Sequence, residues 1–185
     1  MTRHGHRTLL VLAAGVLLLL GSARAQPTLT ESQAKAAFVL NFARYVEWPE
    51  RAFPARETPL SICLLGRDPV GNALLALEGR QVHNRVVTVR RLANADEART
   101  CHVLFLAESE ERRLVHALRG LIGLPVLTVG DTDGFIDNGG AIGLVQGEGR
   151  LQFEVNRHVL DQAQLKASSN LLKLARNLSD LKGRN

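Results

Sequence analysis

The sequence predicts an α/β protein: a single compact domain with a mostly parallel sheet, an antiparallel C-terminal hairpin, and helices on both faces. Short, almost wholly apolar runs recur at Leu60–Leu65, Cys101–Ala107 and Pro125–Val129, as expected for strands buried on both faces of a sheet. Helical patterns separate these runs, which gives successive β–α–β units and therefore parallel strands. Towards the C-terminus, two apolar segments flank a glycine-rich turn, which predicts a hairpin.

The N-terminus has the features of a secretory signal peptide. Arg3 and Arg7 precede the 12-residue apolar run Leu9–Leu20, and the segment ends in Ala-Arg-Ala at Ala25, a small-residue cleavage pattern. Such a run spans about 18 Å as a helix, whereas the hydrocarbon core of a membrane is about 30 Å thick. We therefore predict a cleaved signal peptide over residues 1–25 and one exported domain over residues 26–185.

Length and charge restrict the class of protein further. The chain has 185 residues, 45% of them apolar, which is enough for one hydrophobic core. It carries 23 Lys and Arg against 18 Asp and Glu, and the signal peptide holds three arginines and no acid. The exported part therefore has 20 basic and 18 acidic residues, a net charge of +2. This near-neutral balance gives no electrostatic basis for binding nucleic acid.

The first elements of the exported chain follow from local signals. Thr30 and Gln33 form a capping box at the start of a helix, which Pro49 ends after Trp48. After the strand Leu60–Leu65, Asp68 and Pro69 are expected to begin a short helix that runs through Leu77. Alternating apolar residues predict a further strand within Val82–Leu92.

The second half of the chain continues the alternation of strands and helices. Ser109 is expected to cap a helix that follows the strand Cys101–Ala107. Gly130–Gly140 is interpreted as a long turn in which Gly134, Gly139 and Gly140 supply positive φ angles. The predicted hairpin pairs Ala141–Val145 with Arg150–Asn156 around Gly147-Glu148-Gly149. A last helix is expected from Ser168 or Ser169, with its apolar stripe formed by Leu171, Leu174, Leu178 and Leu181.

No motif for catalysis, nucleotide binding or metal binding occurs in the sequence. GxSxG, HExxH, GxGxxG and the P-loop pattern are all absent. His102, at the start of a strand, is interpreted as a histidine at the margin of the core, and His83, His116 and His158 as solvated residues. The Asp131-x-Asp133-Gly134 segment does not have the register of an EF-hand loop. We therefore expect no enzymatic activity, no cofactor and no metal.

One crevice could hold a small ligand, since the carboxyl ends of parallel strands meet at one edge of a sheet. Its polar residues would be Arg67, Asp68, Ser109 and Asp131. The competing interpretation is that Asp68 and Ser109 only cap helices.

The two cysteines, Cys63 and Cys101, allow two interpretations. In an oxidising compartment an even count favours a disulfide, which would close a loop of about 39 residues and stabilise the fold by roughly 4 kcal/mol. The alternative is two buried free thiols.

The apolar residues of the hairpin also allow two interpretations. They cannot all face inward on a hairpin, so some of them, with part of Phe38–Trp48, could form an exposed patch of the kind found at protein interfaces. The alternative is an ordinary core. These hairpin residues are Ile142, Leu144, Leu151, Phe153 and Val155.

Six segments of the chain are informative together: KAAFVLNFARYVEWP (35–49), PLSICLLGRDPVG (59–71), CHVLFLAESEE (101–111), PVLTVGDTDGFIDNGGAIGLV (125–145), RLQFEVN (150–156) and SSNLLKLA (168–175). Taken in this order, they resemble the YfiR family of periplasmic regulators. The resemblance implies a periplasmic α/β domain, often dimeric, without enzymatic activity. It also implies inhibition of an inner-membrane diguanylate cyclase through that enzyme's periplasmic portion, and thus low cyclic-di-GMP and little biofilm formation. An outer-membrane, peptidoglycan-binding lipoprotein would relieve the inhibition by sequestering the inhibitor.

The resemblance also assigns roles to individual residues. Cys63 and Cys101 match a disulfide of the family, whereas a second disulfide of some members would fall on residues 137–143, where this chain has no cysteine. Partner-binding residues of the family fall on Ile142, Glu154 and Leu160, with Leu160 at an exposed helix position. The alternative is that these are an edge-packed residue, a solvated carboxylate and a core leucine. The alternative function is a periplasmic small-ligand sensor that uses the Arg67–Asp131 crevice and signals to another receptor, such as a histidine kinase.

Overall fold

The computed structural model describes residues 29–179. The predicted signal peptide and Leu181 lie outside these residues. Within residues 29–179, no helix is both long and apolar enough to cross a membrane.

The described residues form five α-helices and ten strands. The helices are α1 Glu31–Tyr45, α2 Val70–Leu75, α3 Leu114–Arg119, α4 Arg157–Gln162 and α5 Ser169–Leu174. The strands are β1 Val46–Glu47, β2 Leu60–Leu65, β3 Gln81–Val82, β4 Arg85–Leu92, β5 Val103–Leu106, β6 Leu127–Gly130, β7 Ile142–Gly147, β8 Arg150–Asn156, β9 Lys166–Ala167 and β10 Asn177–Ser179. Three 3₁₀ turns complete the chain, at Glu50–Ala52, Ala95–Thr100 and Glu108–Arg113.

Eight of the strands form one sheet in the order β10-β8-β7-β6-β5-β2-β4-β3. Five of its seven pairings are parallel, and the β7–β8 and β3–β4 pairings are antiparallel. The remaining strands, β1 and β9, pair with each other in a small second sheet. The predicted α/β class, with a mostly parallel sheet and an antiparallel hairpin, is confirmed.

Both faces of the large sheet are covered, because alternate side chains of its central strands enter two separate cores. Ile62 and Leu64 of β2 belong to a large core that includes residues of α1, α2 and α5. Cys63 and Leu65 belong to a second core, which includes residues of α3. All six residues of β2 are buried, as its uninterrupted apolar sequence predicts.

Helix α1 follows its sequence signals. The Thr30 hydroxyl accepts a hydrogen bond from the Gln33 amide, and the Gln33 side chain accepts one from the Thr30 amide, which completes the predicted capping box. The helix ends at Tyr45, four residues before Pro49, so that β1 can pair with β9.

The segment predicted as one strand over Val82–Leu92 is a hairpin of β3 and β4. His83 and Asn84 form its two-residue turn and have φ angles of 50° and 62°. Two successive positive φ angles match the twist of a hairpin. The sequence did not predict this turn because it contains no glycine.

The C-terminal part differs most from the prediction. Ser168 caps α5 as expected, with its hydroxyl accepting from the Leu171 amide, but the helix ends at Leu174. Leu178 lies in β10, which pairs in parallel with the outer side of β8. The predicted stripe through Leu178 was therefore wrong, and the hairpin β7–β8 does not form the edge of the sheet. The helix that the resemblance implies after the hairpin, at Leu160, is present as α4.

Two smaller predictions fail for local reasons. Ser109 does not cap a helix, because the chain forms a 3₁₀ turn from Glu108 and α3 begins only at Leu114. Gly140 is not among the glycines with positive φ, whereas Gly134 and Gly139 are. Gly140 is required for space instead, because a Cβ at this position would overlap the ring of Phe135.

Candidate functional site

Cys63 and Cys101 form a disulfide, with their Cα atoms 6.0 Å apart. Cys63 is on the central strand β2, and Cys101 lies just before β5, which is the neighbour of β2 in the sheet. Both residues are buried in the core that includes α3. The structure thus selects the disulfide over two free thiols. It joins adjacent strands across a sequence separation of 38 residues.

His102, next to the disulfide, is fixed by hydrogen bonds at both ring nitrogens. Its Nδ1 accepts from the Ser61 amide at 3.0 Å, so Nε2 carries the proton and donates to the Ala52 carbonyl at 2.9 Å. Burial lowers the pKa of His102, and the nearby charge of Arg85 lowers it further, while the hydrogen bond to Ala52 acts in the opposite direction. The neutral ring has a structural role, which confirms the interpretation of His102 as a histidine at the margin of the core.

An aromatic cluster extends from His102 to the surface. The Phe53 ring stacks on His102 with 4.3 Å between centroids, and the Arg85 guanidinium lies 3.8 Å from the centroid of Phe53. Arg85 Nη1 also donates to backbone carbonyls between residues 55 and 58. Phe53, Arg85 and Trp48 also line a surface pocket of about 600 Å³. Sequence reasoning missed this cluster, because its members come from three segments without a shared motif.

At the carboxyl ends of the parallel strands, the predicted crevice residues are bonded within the protein. The Arg67 amide donates to the Ser109 hydroxyl at 2.8 Å, and the Val70 amide donates to the Asp68 carboxylate at 2.6 Å. The Arg67–Ser109 contact joins the segments that follow β2 and β5. Binding of a small ligand by these residues stays a prediction.

The fourth crevice residue, Asp131, is paired with helix α1. Its Oδ2 lies 2.6 Å from Lys35 Nζ, and Lys35 is also 2.9 Å from Glu31. Burial acts to lower the pKa of Lys35, but the hydrogen bonds and charges of Asp131 and Glu31 outweigh it and raise that pKa. The other carboxylate oxygen of Asp131 is buried without a hydrogen-bond partner among the described residues. Lys35 carried no signal in the sequence, because its partner is 96 residues away.

The three residues to which the resemblance assigns partner contacts lie in the C-terminal part of the fold. Ile142 of β7 is opposite Val155 of β8 and is fully buried. Glu154 of β8 is half-buried, between Gly143 of β7 and Asn177 of β10. Leu160 of α4 is only 3% exposed, because α4 packs this side chain into the large core. The structure thus selects the core position of Leu160 over the exposed one. The contact roles of the three residues stay predictions.

Of the two interpretations of the hairpin's apolar residues, the structure favours the ordinary core over an exposed patch. The antiparallel register places Ile142 opposite Val155 and Leu144 opposite Phe153, so that these four side chains share one buried face. Leu151, nearer the turn, is half-buried.

Other histidines differ in their surroundings. His83 and His116 are exposed, but His158 is half-buried, and its Nε2 atom is buried without a partner among the described residues. The prediction that His158 is solvated was therefore wrong. Within residues 29–179, no three His, Cys, Asp or Glu side chains are grouped as a metal ion would require.

The match to a known family covers most of the chain. A family model described as YfiR/HmsC-like matches residues 32–176, which extend from the first turn of α1 to the residue before β10. The chain belongs to the YfiR/HmsC-like family. The assignment agrees with the resemblance found in the sequence. Regulatory function and a periplasmic location are consistent with this family, and the disulfide fits that location.

Proposed function

We propose that this protein is a periplasmic inhibitor of a membrane diguanylate cyclase. It binds the periplasmic portion of that enzyme and favours the inactive conformation, which lowers cyclic-di-GMP and biofilm formation. The observation that carries the proposal is membership of the YfiR/HmsC-like family over residues 32–176. The disulfide Cys63–Cys101 supports it, because such bonds persist in oxidising compartments.

Inhibition by binding requires a surface that is accessible in the folded protein. Of the three residues assigned to partner contacts, Glu154 alone retains appreciable exposure, while Ile142 and Leu160 support it from the core. We infer that the partner contacts the surface around Glu154, where β8 is flanked by β7 and β10. Substitution of either buried residue would then act indirectly, by moving the elements that carry this surface.

The proposal includes further partners. A homodimer is the expected state of the free inhibitor, and an outer-membrane, peptidoglycan-binding lipoprotein would release the cyclase by sequestering it. Export follows from the predicted signal peptide at residues 1–25, with cleavage after Ala25.

The first experiment measures cellular cyclic-di-GMP in the parent strain, a deletion of this gene, and the deletion complemented with the full chain or with a version lacking residues 1–25. We expect the level to rise on deletion and to be restored by the full chain only. No change on deletion would overturn the inhibitor proposal. Restoration by the unexported version would overturn the periplasmic location.

A pair of charge-reversal variants tests the binding surface. Glu154→Lys places a cation at the proposed contact, whereas Glu148→Lys makes the same change in the turn of the same hairpin, at a side chain that is 85% exposed. Both are expressed with the signal peptide, and their amounts are compared by immunoblotting. We expect only Glu154→Lys to lose inhibition at equal protein level. Equal inhibition by both variants would contradict the assignment of Glu154.

A further inference from the structure

A second pocket, distinct from the partner-contact surface around Glu154, lies between α3, the start of β6, the loop before β7 and α4. Its volume is about 500 Å³, within the range of about 300–1,000 Å³ that is typical of small-molecule sites. Leu118 and Leu121 from the α3 side, Val126 before β6, and Val159 of α4 provide apolar walls. The first three of these residues are buried, so one side of the pocket is part of the core.

The polar groups of this pocket favour a negatively charged ligand. The exposed side chain of Arg119 lines it and makes no hydrogen bond or ion pair with any other described residue, while no Asp or Glu lines it. The side chains of Thr128, Asn138 and Gln162 also line it, and the Thr128 hydroxyl accepts from the Ala141 amide. A cationic ligand would find no counter-charge here, whereas a carboxylate matches the planar donors of an arginine.

His158 supplies a second reason to expect a ligand. Its ring lines the same pocket, and its Nε2 is buried without a hydrogen-bond partner among the described residues. Burying a polar nitrogen unpaired is costly, and most such atoms in folded proteins have a partner. A ligand oxygen in the pocket can provide that partner.

We propose that this pocket binds a small organic carboxylate with an apolar body. The carboxylate contacts Arg119 and His158, and the apolar body packs against Leu118, Leu121 and Val159. This site is separate from the Arg67–Asp131 crevice, because none of the crevice residues lines it. Its existence does not depend on the proposed inhibition of a cyclase.

The test uses three probes that differ only in their polar group: 4-phenylbutyrate, 4-phenyl-1-butanol and 4-phenylbutylamine. Each is titrated into the purified domain, residues 26–185 with the disulfide intact, and followed by amide chemical shifts in NMR spectra. We expect 4-phenylbutyrate to bind with the highest affinity and to shift the signals of α3, α4 and the loop at Asn138. Binding of the alcohol or the amine with equal affinity, or shifts confined to other regions, would overturn the proposal.

Matched variants then test the contacts of Arg119 and His158 with the carboxylate. Arg119→Gln and His158→Gln are expected to weaken binding of 4-phenylbutyrate by about tenfold or more, the usual effect of losing a charge-assisted hydrogen bond. The controls are Arg112→Gln and His116→Gln, which alter exposed residues outside the pocket. Thermal melting checks that all four variants are folded. No detectable binding of the carboxylate, or equal losses in the variants and their controls, would contradict the assignment.

Discussion

The centre of the large sheet and its β10 edge differ in how their side chains are fixed. Around β2 and β5, a disulfide joins neighbouring strands, and both ring nitrogens of His102 are hydrogen-bonded. Around α4 and β10, the Nε2 atom of His158 is unpaired, and Leu174 and Leu178 are 73% and 45% exposed. The first region is thus fixed by a covalent bond and by hydrogen bonds between neighbouring segments. The second region contains an unpaired polar atom and exposed apolar side chains that a ligand or a partner protein could contact. Both proposed binding sites lie in this region.

Of the substitutions proposed, removal of the disulfide should change the free energy of unfolding most. Cys63→Ala/Cys101→Ala is expected to lower the free energy of unfolding by about 2–4 kcal/mol, because the unfolded chain regains the freedom of a long loop. Urea denaturation measures the change. In cells, Cys63→Ser should accumulate less and release the cyclase. A variant that inhibits and accumulates like the wild type would count against this role of the disulfide.

Gly140→Ala tests the packing of the loop that leads into β7. The new methyl group would overlap the buried ring of Phe135, and overpacking of this kind costs about 1–3 kcal/mol. Gly120→Ala is the control, because a Cβ there meets only ordinary contacts, the nearest at 3.5 Å. Equal unfolding midpoints in urea for both variants would show that the loop adapts without cost.

Lys35→Met tests the ion pair that connects α1 to the end of β6. The Asp131 carboxylate, whose side chain is 9% exposed, would lose its cation, at a cost of about 1–2 kcal/mol, between the values for surface and buried pairs. The double variant Lys35→Met/Asp131→Asn should recover most of this loss. Glu31→Gln is the control, since Glu31 is 59% exposed. Additive effects of the two single substitutions would argue against a direct pair.

The smallest expected effect is the change in folding stability with pH. Because burial lowers the pKa of His102 below its ordinary value of 6.5, the unfolded chain binds a proton at that residue before the folded protein does. Stability should therefore decrease as the pH falls below about 6.5, by at most about 1.4 kcal/mol per pH unit for one proton. Unfolding in urea at several pH values measures this slope. His102→Gln should flatten it and the exposed His116→Gln should not, and an unchanged slope in His102→Gln would reject the assignment.

Local patterns in the sequence predicted the elements whose signals lie within a few residues. The capping box at Thr30, the apolar run of β2 and the turn around Glu148 all belong to this group. Elements that depend on distant partners were missed. Leu174 and Leu178 have helical spacing, yet pairing with β8 draws Leu178 into a strand.

The distinction between local signals and contacts with distant residues also applies to the candidate sites. The disulfide could be anticipated, because two cysteines in an exported chain have few alternatives. The pocket beside His158 could not, because its lining comes from four separate segments of the chain. No local pattern distinguishes His158 from His116, although the first is half-buried and the second is exposed.

The position of the disulfide also has a mechanical consequence. If the two ends of the exported chain are pulled apart, the segment between Cys63 and Cys101 cannot extend while the bond is intact. The sequence separation of 38 residues corresponds to about 130 Å of extended chain. An oxidised molecule under tension therefore reaches a shorter extended length than a reduced one. The disulfide keeps the loop that contains β4 closed even after the strands of the sheet have separated.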